Sequence, residues 1–411
     1  MEVRPGYKQS EVGVIPEDWD VTVVGKEFTI QLGKMLDSEK NYGMPKPYVG
    51  NRAIQWKQID LDSIGEIKLT SSDLQRFRLQ EGDLLVCEGG EIGRAAIWNS
   101  PIEECYYQKA LHRLRPIRGY NVQLMLNILQ MFASNGSLIN FVTQTSIAHL
   151  PKDKFEKLPI PVPSTLAEQE AIAEALSDAD ALIESLEQLT AKKRQIKQGA
   201  MQELLTGKRR LPEFNGEWNI TSLGQILSRL TNGTVYRASN SFGVPVTRIE
   251  TISNGFIDFS KTGIAELTDE LANYKMISGD ILFSHINSLD HIGKVAQFFG
   301  EQDLYHGMNL ILLRVNKEAI SRFLYYWFCS PQTREKARRA AKQAVSQASI
   351  NTTEMKLWSI FLPSVPEQTA IANILSEMDA EIASLEAKLE KARQVKQGMM
   401  QELLTGRIRL V

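Results

Sequence analysis

The chain has 411 residues, more than one core usually needs, and its content of 43% hydrophobic and 23% charged residues is ordinary for a soluble globular protein. Its formal net charge of −2 argues against a protein that holds nucleic acid unaided, because phosphate contacts usually demand a basic chain. The three cysteines, Cys87, Cys105 and Cys329, are odd in number and widely spaced, which excludes a disulfide framework or a zinc site and indicates reduced thiols.

The apolar runs and the first residues predict a cytoplasmic protein. The opening MEVRPGYKQS is polar and lacks the apolar core of a signal peptide. The most apolar run, FLYYWFC at 323–329, is far too short to span a bilayer.

Residues 1–157, the first variable region, mix strand-like and helical signals. GDLLVC (82–87) follows a Gly-Asp turn and alternates like a strand, whereas VQLMLNILQMFAS (122–134) has helical periodicity. We predict a compact α+β domain here.

Residues 158–207 predict a first long helix of about 38 residues, or roughly 57 Å. Prolines and a serine at 161–164 are helix-start signals, and Gly207 is a good C-cap residue. Apolar residues at alternating steps of four and three form a coiled-coil seam that weakens at Thr190 and Lys193. This seam contains Ile172, Leu176, Ala179, Ile183 and Leu186.

Residues 208–358, the second variable region, and 359–411, a second long helix, repeat this order. GDILFS (279–284) predicts a strand, and the segment 320–343 predicts a helix. The second seam contains Ile371, Leu375, Met378, Ile382, Leu385, Leu389 and Ala392.

The two halves are an internal duplication. A shift of 199 residues aligns 168–211 with 367–410, and 28 of these 44 positions are identical. Trp19 matches Trp218 at the same offset, and IGRAA (92–96) matches IGKVA (292–296) at nearly the same one. Between such landmarks the variable regions share almost nothing, so a diverged domain is followed twice by a nearly constant helix.

The order domain, helix, domain, helix predicts how the helices pair. Domain termini usually lie close together, so the end of the first long helix would meet the start of the second, making them antiparallel. We predict an α+β, pseudo-twofold molecule whose two α/β domains are separated by an antiparallel pair of long coiled-coil helices. Two independent domains with helical tails would leave both seams exposed.

No motif indicates catalysis or metal binding by this chain. A G-x-x-x-x-G-K-[ST] loop, a G-x-G-x-x-G turn and H-E-x-x-H are all absent, and the five histidines lack metal-ligand spacing. Basic residues cluster late in both long helices and at 334–342, where dense arginine suits phosphate contacts. A solvated helix face is the ordinary explanation for most of them.

These features together resemble the specificity subunit of a type I restriction-modification enzyme. The resemblance covers essentially the whole chain: each variable region precedes a helix with a P-x-x-EQ-x-AIA start and a K-QG-M-QELLTG end. The motifs are Glu168-Gln169 and Glu367-Gln368 at the starts, with Gly207 and Gly406 at the ends. The first copy departs slightly, because its start is about one residue longer.

The resemblance implies the function and the partners. Each variable region would be a target recognition domain that reads one half of a bipartite, asymmetric site in double-stranded DNA, and the paired helices would fix the unread gap. Two adenine-methyltransferase (modification) subunits would dock on the repeated helices, and nuclease/translocase (restriction) subunits would join them. S-adenosylmethionine, ATP and Mg²⁺ would belong to those partners, with no cofactor, metal or catalytic residue in this chain.

Polar residues beside the shared landmarks are the candidate DNA contacts. Arg94 and Lys294 occupy matching positions, so we expect phosphate contacts from them rather than base reading. The candidates are Lys34, Arg76, Arg94, Lys109, His112, Gln144, Ser146, His149, Arg237, His285, Asn287, Lys294, Ser346, Gln347 and Asn351. The candidate spacer and partner-docking residues are Glu168, Gln169, Ile172, Leu176, Ile183, Leu186, Glu367, Gln368, Ile371, Leu375, Ile382 and Leu385.

Two other functions compete with this one. A coiled-coil protein-interaction adaptor explains long helices but not why constant helices follow diverged domains. A stand-alone DNA-binding regulator is disfavoured by the near-neutral charge.

Overall fold

The computed structural model describes residues 4–37, 39, 41–144, 148–238, 242–287, 291–344 and 347–410. It forms two compact units, Met1–Leu186 with Lys388–Val411, and Glu187–Ala387. Each unit holds one variable region and a part of each long helix, and both mix helices and strands. Over the described ranges, no helix combines the length and apolar character needed to cross a lipid bilayer.

Each unit is built on a four-stranded antiparallel sheet with the same strand order. In the first unit the order is Ala95–Trp98, Asp83–Cys87, Leu111–Pro116 and Phe28–Leu32. In the second it is Val295–Gln297, Ile281–Phe283, Ile311–Val315 and Leu227–Asn232.

Shorter strand pairs complete the units. The first has Tyr7–Ser10 with Gly13–Pro16, Asp20–Val23 with Pro159–Val162, Met44–Val49 between Tyr106–Tyr107 and Gly65–Leu69, Ile54–Gln55 with Gln58–Ile59, and Thr143–Gln144 with Ala148–His149. The second has Asn219–Ser222 with Ser359–Leu362, Val244–Val246 with Gly263–Ala265, and Gln347–Ser349 between Ile286–Asn287 and Lys342–Ala344.

The α-helices include the two long ones and nine shorter ones over the described residues. The long ones are Leu166–Leu204 and Val365–Leu403, each of 39 residues. The short ones are Val24–Glu27, Ser71–Arg76, Val122–Asn135 and Lys152–Phe155 in the first unit, and Leu223–Ile226, Asp269–Ala272, Ser321–Cys329, Pro331–Ala340 and Thr352–Lys356 in the second.

The central sheet of each unit has a core on both faces. In the first unit, Leu84 and Val86 pack with the helix Val122–Asn135, whereas Leu85 and Cys87 pack into a second core on the opposite face. This double burial explains why LLVC (84–87) is apolar throughout instead of alternating with polar residues.

The Gly-Asp landmark is a structural turn in both units. Gly82 and Gly279 adopt left-handed φ values of +84° and +94°, which glycine tolerates best. The next residue, Asp83 or Asp280, is almost fully buried.

Each of these buried aspartates holds a turn and a neighbouring strand together. Asp280 accepts the backbone N–H of Ile277 at 2.9 Å and pairs with Arg314 Nε and Nη2 at 2.7 and 2.8 Å. Asp83 does the same with Gln80 and Arg115. The charge is thus buried with a bidentate partner, the arrangement that a buried carboxylate requires.

Within each unit, the start of one long helix packs beside the end of the other. In the first unit, Ile172 and Leu176 share a core with Leu403 and Leu404. In the second, Ile371 and Leu375 share the equivalent core with Leu204 and Leu205.

Candidate nucleic-acid interface

Several loops of the first variable region meet at one edge of its central sheet. Lys34 pairs with the segment after the strand Tyr106–Tyr107: its N–H donates to Tyr107 O at 2.9 Å, and Lys109 N–H donates to Lys34 O at 2.8 Å. Asn51 Nδ2 donates to Gly89 O at 3.1 Å, and Gly89 forms a bridge with His149. The described loops are therefore held together by main-chain hydrogen bonds and by the Asn51 side chain.

The second variable region builds the same edge from equivalent loops. Thr234 bridges to Gly307, whose N–H donates to Thr247 Oγ1 at 2.9 Å. Ile350 N–H donates to His285 O at 2.9 Å, which ties the loop before Thr352–Lys356 to the segment that follows the strand Ile281–Phe283. We call these two groups of loops the first and second loop edges.

The first loop edge gathers four of the predicted DNA contacts. Lys34, Arg94, Lys109 and His149 all lie on it, with Lys109 and His149 exposed. Lys34 is already bound, because its Nζ donates to Asp73 Oδ2 at 2.8 Å. Arg76 lies outside these loops, at the end of Ser71–Arg76, with its guanidinium over the Phe77 ring.

His112 is not on the surface. It is completely buried, its Nε2–H donates to Leu150 O at 2.8 Å, and burial lowers its pKa to about 4. A neutral imidazole in the core cannot contact DNA without unfolding its surroundings, so we reassign His112 to holding the loop before Lys152–Phe155 in place.

The second loop edge gathers exposed Arg237 and partly buried Lys294. His285 is only 5% exposed, so its backbone rather than its side chain contributes to the edge. Asn351 caps Thr352–Lys356 by accepting Glu354 N–H at 2.7 Å.

Five predicted contacts fall wholly or partly outside the described residues. Ser146 and Ser346 lie outside them. For Gln144, Asn287 and Gln347 only the backbone is described, in the strands Thr143–Gln144, Ile286–Asn287 and Gln347–Ser349.

The sequence family agrees with these paired units. The model of the type I restriction modification DNA specificity domain matches residues 16–198 and again 215–394. The chain belongs to this family. Among its relatives, the EcoKI specificity subunit of Escherichia coli K12 is 24% identical over 97% of this chain and 90% of that protein. The MjaX specificity subunit of Methanocaldococcus jannaschii is 42% identical over a region that covers 48% of each chain. In this match the chain spans about half the length of its relative.

Solved structures show the same fold. The type I restriction-modification S subunit from M. genitalium superposes with a TM-score of 0.60 at 14% identity, covering 98% of both chains. The resemblance predicted from the helix motifs is confirmed, as is mixed α and β content. Like the specificity subunits that it matches, the chain is the non-catalytic component of such a system.

Arg94 and Lys294, the matched basic residues of the specificity chain, bind their own domains. Arg94 Nη2 donates to Asn51 O at 3.1 Å, and Lys294 Nζ donates to Ser253 O at 2.9 Å. Both follow a glycine with left-handed φ, Gly93 (+79°) and Gly293 (+77°). Each side chain therefore stabilises a tight loop, and only its other N–H groups are available to bind a phosphate.

Two arginines on the loop edges were not among the sequence candidates. Arg52 and Arg248 are exposed, and neither has an ion-pair partner among the described residues. Both follow a proline and a buried valine at a strand end, in PYVGNR and PVTR, a shared signal that sequence comparison could have found. A cavity of about 380 Å³ opens beside Arg248, lined also by Tyr236, Glu250 and Asn309.

The Glu-Gln motif of the long helices faces inward. Glu168, Gln169, Glu367 and Gln368 are all less than 9% exposed. Gln169 Oε1 accepts Asn121 N–H at 3.0 Å, and Gln368 Oε1 accepts Ile320 N–H at 2.7 Å, so each glutamine joins its helix to the helix of its own variable region. These four buried side chains cannot present a docking surface.

The apolar candidates of the long helices are covered to different degrees. Ile172, Leu176, Ile371, Leu375, Ile382 and Leu385 are buried, whereas Ile183 and Leu186 are partly buried. Over the described part of the chain, no group of three or more His, Cys, Asp or Glu residues is arranged to hold a metal ion.

Proposed function

We propose that this chain reads a bipartite, asymmetric site in double-stranded DNA, one half with each loop edge. In this proposal residues 1–157 and 208–358 are the two target recognition domains, and 158–207 and 359–411 are spacer helices. The helices pair antiparallel as a coiled coil and set the unread gap. Two adenine-methyltransferase subunits dock on them, joined in the cytoplasm by nuclease/translocase subunits.

The observation that carries this proposal is the pairing of equivalent loop edges with different side chains. Each edge rests on its own four-stranded sheet, and the two sheets have the same strand order. Main-chain bridges at equivalent places, Lys34 with Gln108 and Thr234 with Gly307, hold the loops of both edges. Exposed cations occupy both, Arg52 and Lys109 on the first, Arg237 and Arg248 on the second. Cations can hold DNA phosphates, while different loop side chains can read different bases.

The packing of the long helices supports the spacer role. In each unit separately, the start of one helix shares a core with the end of the other, as an antiparallel pair requires. The first long helix also exposes Leu182, Leu189 and Ile196 by 54%, 39% and 47%, at the seven-residue spacing of a coiled-coil stripe. An exposed apolar stripe of this kind suits a helical partner.

The deciding experiment co-expresses this chain with its modification subunits and maps methylated adenines across the genome. We expect one motif with two different halves and a fixed unread gap. Arg237→Ala combined with Arg248→Ala should weaken recognition through the second half only.

Other outcomes select the competing functions. Sequence-specific DNA binding without any modification subunit, and without methylation, would favour a stand-alone regulator. Modification subunits that methylate the same motif without this chain would leave it the role of an adaptor.

A further inference from the structure

Asp180, in the first long helix, joins three elements of the first unit. Its Oδ2 accepts the ammonium of Lys57, and its Oδ1 accepts that of Lys396 from the second long helix. Lys57 Nζ also donates to Asn127 Oδ1, at 2.6 Å, on the fully buried face of Val122–Asn135. One carboxylate therefore contacts both long helices and the variable region.

Asp379, 199 residues later, does the same in the second unit. Its Oδ1 accepts Lys197 Nζ from the first long helix, the repeat equivalent of Lys396. Its Oδ2 accepts Tyr326 O–H at 2.7 Å and lies 3.7 Å from Arg322 Nη2. Tyr326 and Arg322 belong to Ser321–Cys329, so the variable region again reaches the same point of the repeat.

The two variable regions reach this point by unrelated means. Lys57 stands in the tight turn after Ile54–Gln55 with a left-handed φ of +65°, an unfavourable conformation for a lysine. Arg322 instead comes from the first turn of a helix and is further held by Ser376 Oγ, which accepts its Nε at 3.0 Å. The two constant helices thus present an aspartate at the same position of the repeat, and each diverged variable region contributes a cation that binds it.

Ion pairs at this place specify geometry more than they add stability. The side chains are 12–36% exposed, and exchanging such a pair for apolar residues often costs little stability, whereas directional charged contacts fix one arrangement. In the first unit two ammonium groups share one carboxylate, and burial lowers the pKa of Lys57 to about 8. Removing the Asp180 charge would leave the ammonium groups of Lys57 and Lys396 next to each other without a counter-ion. The variable region would then no longer be held in one position on the helices.

We propose that Asp180 and Asp379 are positioning residues that hold each recognition domain at a set orientation on the paired helices, and so make the chain selective for one gap length. This rests on the proposed function, because a gap exists only if two halves are read. Neither carboxylate contacts DNA in this assignment.

The test measures methylation by the complex with its modification subunits, on duplexes whose gap varies one base pair at a time. Asp180→Asn and Asp379→Asn should lower the ratio of methylation at the preferred gap to that at neighbouring gaps by about tenfold. The bases recognised in each half should stay the same. Asp180→Glu, which keeps the carboxylate, should restore part of the ratio.

Exposed acids near these positions, on other faces of the same two helices, provide matched controls. Asp178→Asn and Glu377→Gln remove one negative charge each, two residues away, and should leave the ratio unchanged. If Asp180→Asn fails to fold, as circular dichroism would reveal, Lys57→Met tests the same contact while Asp180 keeps Lys396.

The outcomes separate the two proposals. Wild-type methylation at a two-part site, with identical gap profiles for folded Asp180→Asn and for Asp178→Asn, would overturn the positioning role and leave the proposed function intact. A wild-type complex that recognises no two-part site would overturn the proposed function itself.

Discussion

Arg210 and Arg409, which match in the internal repeat at the offset of 199 residues, occupy equivalent places in the two units. Arg409 Nη2 donates to Glu168 Oε2 at 2.9 Å, and Arg210 Nη2 donates to Glu367 Oε2 at 2.8 Å. An indole N–H completes each site, from Trp19 to Glu168 at 3.1 Å and from Trp218 to Glu367 at 3.2 Å. The buried glutamate at each helix start thus depends on an arginine that follows the end of the other helix.

Arg409→Ala should destabilise the first unit by about 3 kcal/mol, because it leaves the 1%-exposed carboxylate of Glu168 without its charged partner. Calorimetry should show a lower midpoint for one unfolding transition. Arg407→Ala is the matched control, because Arg407 pairs with Glu402 on the surface and should contribute under ~1 kcal/mol. Equal effects of the two substitutions would contradict the burial argument.

Arg409 also binds Asp18, and the stability that this contact contributes depends on pH. The hydrogen bonds from Arg409 lower the pKa of Asp18 to about 2. A carboxyl with a lowered folded-state pKa contributes stability above its unfolded pKa of about 4, and that contribution is lost as the pH falls towards 2. The contact therefore persists throughout the neutral range.

Residue roles were harder to predict from sequence than residue importance. The Glu-Gln motif was found because it repeats, but docking was the wrong role for these buried side chains. The partner of Glu168 lies 241 residues away, a distance that no local pattern encodes. His112 was misplaced for a similar reason, because only the folded chain brings Leu150 to its ring.

The long helices were the most predictable elements, since a seven-residue seam needs no distant information. The expected length of about 38 residues compares with 39 for each helix. Gly199 and Gly398 remain without a packing explanation: a Cβ at either would meet no atom within 4 Å. The pairing of the strands was not predictable, because Phe28–Leu32 and Leu111–Pro116 are neighbours only after the intervening loops have closed.

Lengthening both helices tests whether they set the gap. Duplicating residues 187–190 and 386–389 together adds four residues to each helix, close to the residues at which the chain passes from one unit to the other and away from the cores that hold Leu204 and Leu404. Four residues add about 6 Å and about 40° of rotation, and one base pair adds about 3.4 Å and roughly 35°. The preferred gap should grow by one or two base pairs.

A single duplication of Gln202–Leu205 is the informative comparison. It inserts into the segment whose Leu204 and Leu205 fill the core of the second unit, so it should destabilise that unit as well as change the gap. If the paired duplication leaves the preferred gap unchanged while methylation survives, the helices do not set the distance.

At the scale of the whole molecule, one architecture occurs twice with different surfaces. The sheet order, the Gly-Asp turn and the aspartate anchors coincide in the two units, whereas the loop-edge side chains differ. Selection on a common framework and on separate recognition surfaces would produce this pattern. It predicts that the framework accepts a foreign variable region if the anchoring contacts are kept.

Exchange of residues 223–357 for the same segment of a homologous specificity chain is the corresponding experiment. The two junctions adjoin, because Leu223 N–H donates to Trp358 O at 2.9 Å, and the flanking strands Asn219–Ser222 and Ser359–Leu362 stay paired. The donor segment must supply a cation for Asp379, the role of Arg322 here. Methylation mapping should then show a new second half, the original first half and the original gap. A donor segment without that cation should change the same half-site but lose selectivity for the gap length. The first loop edge contains no exchanged residue, so a hybrid in which both half-sites change together would rule out independent reading.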